Sequence, residues 1–371
     1  MPTDPPSLIP HPASSHGVDV TDVAGPVREG ESLDLAAVET WLRQHLPDLS
    51  GTAEVSQFAG GASNWTYRLR YPHHDLILRR PPAGTRAKSA HDMAREFRVQ
   101  QALAPVFPFV PRMVGLCQDE ALLGAEFYVM ARIPGIIVRR NLPHGLSLDA
   151  ARTRQLCVNW LKRLVDLHAV PTATPGLAEL GKGSGYCRRQ ISGWSDRFEK
   201  AITWNVPSFQ YVRDWLRDQT PDDVATAVIH GDWRLDNVVL DPEEPTRIIG
   251  VLDWEMATLG DPLMDLGNAL AYWVQADDGA FMRSTRRQPS HLPGMLTRRE
   301  LVALYLELTG LRAPNWAFYE VYGLFRLAVI AQQIYFRYHH RQTRNPAFRH
   351  FWLLIHYLHW RCRRVIAAGH S

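Results

Sequence analysis

The chain has 371 residues, 46% of them hydrophobic and 21% charged, with a formal net charge of +3. That length supports two lobes, each with its own core, and that balance excludes wholesale disorder. No uncharged apolar run approaches the ~20 residues of a membrane helix, and the N-terminus has no basic segment followed by an apolar core. A cytoplasmic protein with no membrane span and no signal peptide is expected.

Residues 1–28 are rich in Pro, Ser, Asp and Gly without periodicity, and read as a flexible tail. "SLDLAAVETWLRQHL" reads as a helix capped by Ser32, with Asp34 in its first turn and Leu35, Val38, Leu42 and Leu46 on one face. "AEVSQFAGGASNWTYRLRY" predicts two strands around a Gly-Gly turn, and "DLILRRPP" a third strand stopped by two prolines. "SAHDMAREFRVQQALAP" predicts a helix starting at Ser89 and stopping at Pro105. "AEFYVMARIPG" is a further strand, so residues 29–133 form a strand-rich lobe with one interior helix.

From Ser147 the chain turns helical, with Leu156, Trp160, Leu164 and Leu167 at helical spacing, and residues 134–371 make a mainly helical lobe. "NVVLDPEEPTRIIGVLDW" interrupts it as a hairpin. Helices resume at "DPLMDLGNALAYWV" and cover residues 297–309 and 317–368. The four cysteines, Cys117, Cys157, Cys187 and Cys362, lie far apart with no CxxC pair. They fit reduced thiols rather than a disulfide framework or a zinc site.

"VIHGDWRLDNVVLD" concentrates one histidine, three aspartates and one asparagine into fourteen residues. Buried carboxylates are costly unless paired, so such a segment is a solvated turn or a site that meets a cation or a reacting proton. Strands on either side of a polar turn present its side chains at one rim. Asp232 and Asn237 can then point at a common centre, and the hairpin brings Asp253 back to join them. One neutral and one charged oxygen suit a hard Mg²⁺ ion completed by waters and phosphates, which leaves Asp232 to accept a proton from a hydroxyl nucleophile. As single residues, these could equally be Asx side chains bonding their own backbone.

The D-x4-N spacing followed by Asp after a hairpin resembles the protein-kinase catalytic loop. "HGDWRLDN", "LRRPP", "REF" and "DWEMATLGDP" resemble the aminoglycoside phosphotransferase (choline-kinase-like) family, most nearly the kinase-like domain associated with acyl-CoA dehydrogenases. The resemblance covers roughly residues 33–310. It implies an α+β, bilobal, protein-kinase-like fold with ATP and Mg²⁺ in the cleft and a small-molecule hydroxyl as acceptor. It implies Asp232 as the catalytic base, His230 as the brace of its loop, and Asn237 and Asp253 as metal ligands. Gly60, Gly61, Ser63 and Asn64 would cover the ATP phosphates. Arg79, where kinases carry lysine, would pair with Glu96 and the phosphates. Met130, Ala131, Arg132 and Ile133 would form the hinge against adenine.

Residues 281–371 carry 14 arginines, no lysine and three acids, a net +11, which leaves −8 for residues 1–280. A polycationic acceptor would be repelled by that lobe and an anionic one drawn in. The expected acceptor is therefore anionic, a hydroxyacyl-CoA or hydroxy acid. An aminoglycoside or other antibiotic kinase, and a nucleotide-binding pseudokinase serving as an interaction module, are the alternatives. Neither a nucleic acid nor a membrane partner is expected. Asp236 reads as a solvated or internally bonded carboxylate, Asp261 and Asp265 as braces of the catalytic segment, and His168 as core.

Overall fold

The computed structural model describes residues 22–58, 64–82 and 92–369. Its N-terminal lobe is a five-stranded antiparallel sheet. The spatial order is β1 (Glu54–Gln57), β2 (Trp65–Arg70), β3 (Asp75–Arg80), β5 (Phe127–Ala131) and β4 (Met113–Cys117). Successive side chains of a strand point to opposite faces, so the sheet has two apolar sides. Leu76, Leu78, Phe127 and Val129 pack with Val38 and Leu42 of helix α1 (Leu35–His45). Ile77, Tyr128 and Met130 pack with Met93 and Phe97 of α2 (Met93–Leu103). The same alternation separates neighbouring cations. Arg79 turns toward α2, whereas Arg80 lies over the Trp65 ring, 5.2 Å from its centroid.

Four local details differ from the sequence reading. Asp34, not Ser32, caps α1 by accepting the Ala37 N–H at 3.0 Å. Asp92 caps α2 through the Arg95 N–H at 2.8 Å, while Ser89 lies outside the described residues. Residues 22–28, assigned to the tail, are held: Gly25 and Gln57 exchange backbone hydrogen bonds of 2.9 and 2.8 Å. β1 is an edge strand, and its open backbone groups take this partner. Strand β4 was also not expected. It contains a register shift at Gly115, where a Cβ would sit 2.7 Å from the His45 ring, and one helical turn, α3 (Glu120–Leu123), links it to β5.

The C-terminal lobe contains α4 (Ala150–His168), α5 (Tyr186–Ala201), α6 (Gln210–Asp218), α7 (Pro262–Ala271), α8 (Ala280–Ser284), α9 (Arg298–Thr309), α10 (Trp316–His339) and α11 (Phe351–Ala368). Two short antiparallel ribbons carry the polar segment: β6 (Ala227–Ile229) with β9 (Thr258–Gly260), and β7 (Val238–Leu240) with β8 (Ile248–Val251). The expected α4 face, Leu156, Trp160, Leu164 and Leu167, is fully buried. Every residue of α7 is buried, and it crosses α10 at Gly267 and Gly323. A Cβ on Gly323 would lie 2.2 Å from the Gly267 carbonyl oxygen, so only glycine permits this approach. The crossing sets Asp265 and Asn268 of α7 and Arg326 of α10 under the turn that follows β6. Among the described residues no helix is long and apolar enough to cross a membrane.

Candidate active site

The turn after β6 is built from beneath. His230 is fully buried between the rings of Trp233 and Trp254, 5.5 and 4.8 Å away. Its Nε2 bonds the Leu252 carbonyl oxygen at 2.9 Å, and its Nδ1 accepts the Asp232 N–H at 3.3 Å. The carbonyl requires a donor and the N–H an acceptor, so these partners select the Nε2–H tautomer. One ring thus ties the Asp232 turn to the residue before Asp253. It lies under the cleft rather than in it.

Gly231 has φ +80, a left-handed conformation that glycine adopts without penalty. The Asp265 carboxylate accepts the N–H groups of both His230 and Gly231 at 2.9 Å. His168 supports Asp265 at 3.1 Å and itself bonds Tyr305 Oη at 2.6 Å. The Gly231 carbonyl accepts from Asn268 Nδ2 at 2.7 Å and Arg326 Nη2 at 2.8 Å. The expected bracing by Asp265 is therefore direct. Asp261 caps α7 through the Leu263 and Met264 N–H groups and also accepts the Val224 N–H.

Above this frame, the Asp232 side chain stays partly exposed. Arg234 approaches it at 3.2 Å, and Asn237 Nδ2 donates to both its carbonyl oxygen and its carboxylate. Arg234 also pairs with Asp236 at 3.3 Å, without hydrogen-bond geometry, and lies over the Tyr272 ring. Asp236 is an internally paired carboxylate rather than a solvated one. Burial pushes its carboxyl above the ordinary range, and Arg234 opposes that rise.

Across the cleft, Arg79 spans both lobes. Its Nη1 bonds the buried Glu96 at 2.5 Å, and its Nη2 meets Asp253 Oδ1 at 3.3 Å. Burial alone would depress this guanidinium, but Glu96, Tyr128 and Asp253 hold it protonated. Asp253 sits at φ +67, ψ 59, a left-handed conformation that aspartate tolerates, and this turns the chain sharply out of β8. Asn237 follows it closely, since Leu252 N–H donates to the Asn237 carbonyl oxygen at 2.8 Å. Asn237 spends its amide nitrogen on Asp232, which leaves the amide oxygen for a cation. With the partly exposed Asp253 carboxylate it makes an oxygen donor set that fits Mg²⁺. Glu255 is a third acid here. Burial, then Asp253 and Glu96, push its carboxyl up to about 7, and Asn64 Nδ2 donates to it at 3.4 Å. Arg95 of α2 donates to the carbonyls of Glu255, at 3.1 Å, and Ala257.

Arg79, Met130, Ala131, Arg132, Ile133, Asn237 and Asp253 all line one cleft between the lobes, with Phe58, Ile77 and Leu252 as apolar wall. The expected hinge is partly occupied by its own fold: Ala131 N–H donates to Arg112 O, and Arg132 N–H to Asp75 O, both at 2.8 Å. The Ile133 N–H takes no backbone partner among the described residues. Gly60, Gly61 and Ser63 lie outside the described residues, whereas Asn64 is buried beside Glu255. Sequence reasoning missed Arg234, Arg326 and Glu255. Only Arg234 had a local signal, a cation between two acids in "DWRLD". The C-terminal arginines divide: Arg298 and Arg361 are neutralised on Asp278, whereas Arg326 reaches beneath the turn that follows β6.

The profile of the phosphotransferase enzyme family matches residues 54–301, the span that holds this sheet, both ribbons and the cleft. The chain belongs to that family. Its curated relatives include acyl-CoA dehydrogenase family member 11 of Homo sapiens, 36% identical over 314 residues, and member 10 of Mus musculus, 35% identical over 316. The matches cover 82% and 84% of this chain but only 39% and 29% of those relatives. Among solved structures, this family member is similar to one assigned to the aminoglycoside phosphotransferases of Ralstonia eutropha JMP134. The TM-score is 0.75 at 29% identity, covering 88% of this chain and 96% of that one. The fold extends to a mutant of aminoglycoside phosphotransferase APH(4)-Ia in ternary complex with AMP-PNP and hygromycin B. There the TM-score is 0.54 at 14% identity, covering 90% and 98%. The bilobal kinase-like architecture expected from the sequence is thus the architecture found.

Proposed function

We propose that this family member transfers the γ-phosphoryl group of ATP to a hydroxyl of a small anionic molecule. The observation that carries this reading is that Asn237 and Asp253 line a cleft whose opposite wall holds Arg79, with the Asp232 carboxylate hydrogen-bonded to Asn237 Nδ2. Adenine enters against Phe58, Ile77 and Met130 and meets the Ile133 N–H, the hinge donor not consumed by the sheet. Arg79, fixed by Glu96, offers its fork to the phosphates. Mg²⁺, held by Asn237 Oδ1 and Asp253, would neutralise charge on the β- and γ-phosphates.

Asp232 orients the acceptor hydroxyl and takes its proton as the oxygen attacks the γ-phosphorus. The bond to the β,γ-bridging oxygen breaks and ADP leaves. Arg234 and Asn237 hold the Asp232 carboxylate in one orientation before the substrate arrives, so catalysis is mostly positioning and charge neutralisation. His230 positions Asp232 from below without touching substrate. All four cysteines are buried and free, which supports the expected cytoplasmic setting.

The net +11 of residues 281–371 supports an anionic acceptor, with a hydroxyacyl-CoA or hydroxy acid as the leading class. The names of the acyl-CoA dehydrogenase relatives point the same way. The deciding experiment measures acceptor-dependent ADP release with hydroxyacyl-CoA esters and with kanamycin-type amines, each at low and high salt. The anionic acceptor should be preferred, with kcat/KM falling as salt rises. Efficient phosphorylation of the amines would reverse the assignment.

A further inference from the structure

Beside the cleft, two segments meet that phosphoryl transfer leaves unused. Residues 139–141 follow the cleft wall, to which Ile137 and Arg139 contribute. Residues 284–291 pass close to the catalytic turn, where Gln288 accepts the Leu235 N–H at 2.9 Å and donates to Tyr272 O at 3.2 Å. Guanidinium groups make the junction. Arg286 donates to the Arg140 carbonyl oxygen and, at 2.9 Å, to Asn141 Oδ1, while Arg140 reaches Ser284 O at 3.4 Å.

Every one of these acceptors is neutral. Among the described residues no carboxylate forms an ion pair with Arg140 or Arg286. Several other arginines of this lobe do meet carboxylates, Arg298 and Arg361 on Asp278, Arg152 on Glu244 and Arg213 on Glu199. Burial and then Arg140 hold the Arg286 guanidinium below its ordinary range, and burial and then Arg286 do the same to the His291 imidazole. His291 Nδ1 is buried without a hydrogen-bond partner. Like charge gathered without a counter-charge destabilises the folded chain, and an anion from outside removes that cost.

We propose that Arg140 and Arg286 form an anion subsite for a phosphate group on the acceptor, remote from the hydroxyl that is phosphorylated. The inference rests on the phosphotransferase reading and narrows its acceptor to a molecule with a phosphate-bearing tail. The two guanidinium groups carry more N–H donors than the neutral acceptors around them use, and they suit the several oxygens of a phosphate. Arg140 is exposed and Arg286 half-buried, so the subsite opens to solvent. Gln288 ties it to the turn that carries Asp232, so a ligand held here can present its other end to the base.

The test keeps the nucleotide site filled. Inorganic pyrophosphate is titrated by calorimetry into the full chain saturated with Mg²⁺ and AMP-PNP, at low salt. It should bind the wild-type complex, and Arg140→Gln and Arg286→Gln should each weaken it about ten-fold, as expected for a lost charge-assisted hydrogen bond. AMP-PNP affinity should stay the same in both variants. Arg140→Gln guards against misfolding, because among the described residues that side chain makes only the long bond to Ser284 O. No pyrophosphate binding to the wild-type complex, or equal binding by wild type and Arg140→Gln, overturns the subsite. A second arm compares a hydroxy acid with its CoA thioester. A kcat/KM preference for the thioester that disappears in Arg140→Gln assigns the subsite to the acceptor, and a preference that survives overturns that assignment. Binding lost in Arg140→Gln supports the anion site even if no acceptor turns over, whereas absent turnover counts against the phosphotransferase reading alone.

Discussion

Asn237 and Asp232 are hydrogen-bonded: Nδ2 of the first stands 2.9 Å from the carbonyl oxygen of the second and 3.2 Å from its Oδ2. The side chain proposed to hold Mg²⁺ also orients the proposed base. Asn237→Ala should therefore raise the Mg²⁺ requirement and also lower kcat at saturating Mg²⁺, by about ten-fold for a lost bond to a charged group. A Mg²⁺ titration of turnover reads both effects. Wild-type kcat at saturating Mg²⁺ would show that the contact to Asp232 is idle.

Asp232→Asn keeps the shape of the carboxylate and removes its capacity to accept a proton. Turnover should fall by about 10²-fold or more, the size of a general-base contribution. AMP-PNP affinity, measured by calorimetry, should barely change, since the proposed nucleotide contacts are those of Arg79 and the hinge. Near-normal turnover would end the base assignment.

Arg79 and Glu96 are a buried pair, 2.5 Å apart. Removing one partner strands the other, so Arg79→Ala should destabilise the fold by about 3–5 kcal/mol in chemical denaturation. Arg79→Lys should keep the Glu96 pair and much of the stability. A single ammonium cannot fork to Asp253 as well, so the KM for ATP should rise. An unchanged KM in Arg79→Lys would show that the fork is not used on the nucleotide.

Asp265 is buried, which alone would raise its carboxyl. The hydrogen bond and charge of His168, with the His230 N–H, outweigh that and hold it below the ordinary carboxylate range. A group depressed in the folded state contributes stability that is present above its unfolded value, about 3.9, and is lost as pH falls through the lower folded value. Asp265→Asn should then cost about 2–3 kcal/mol at pH 7, the gap narrowing as pH drops below about 4. Denaturation curves across that range check it. A gap of constant size from pH 7 to pH 3 would contradict the charged role.

What was legible in the sequence followed from short-range regularities. Alternation along residues 75–80 and 127–131 gave the two faces of the sheet and put Arg79 and Arg80 on opposite sides. The Asx-rich turn and the hairpin after it placed Asp232, Asn237 and Asp253 together. Strand β4 escaped because a glycine bulge interrupts its alternation within five residues. The cap of α1 was misplaced because Ser32 and Asp34 are both good caps, and it is Asp34 that accepts the Ala37 N–H. The supports of the site were hidden by distance along the chain. His168 and Asp265 are 97 residues apart, and Gly231 and Arg326 are 95 apart. Only the α7–α10 crossing brings the latter pair together.

Arg95 reaches from α2 across to the segment after Asp253, and it marks a division of labour between the lobes. Every support of Asp232 belongs to the C-terminal lobe: His230, Asn237, Asp265 through the turn, and Arg326. The proposed phosphate grip is different, because Arg79 of β3 and Glu96 of α2 belong to the N-terminal lobe while Asp253 does not. Swinging the sheet away from the helices would leave the base intact and dismantle only the grip. On the proposed reading, proton acceptance would be a standing property of the helical half, and phosphate holding would depend on how the two lobes meet. On the same reading, water entering an open cleft would find a base with no phosphate aligned before it, and idle hydrolysis of ATP would be disfavoured by timing as well as by shielding.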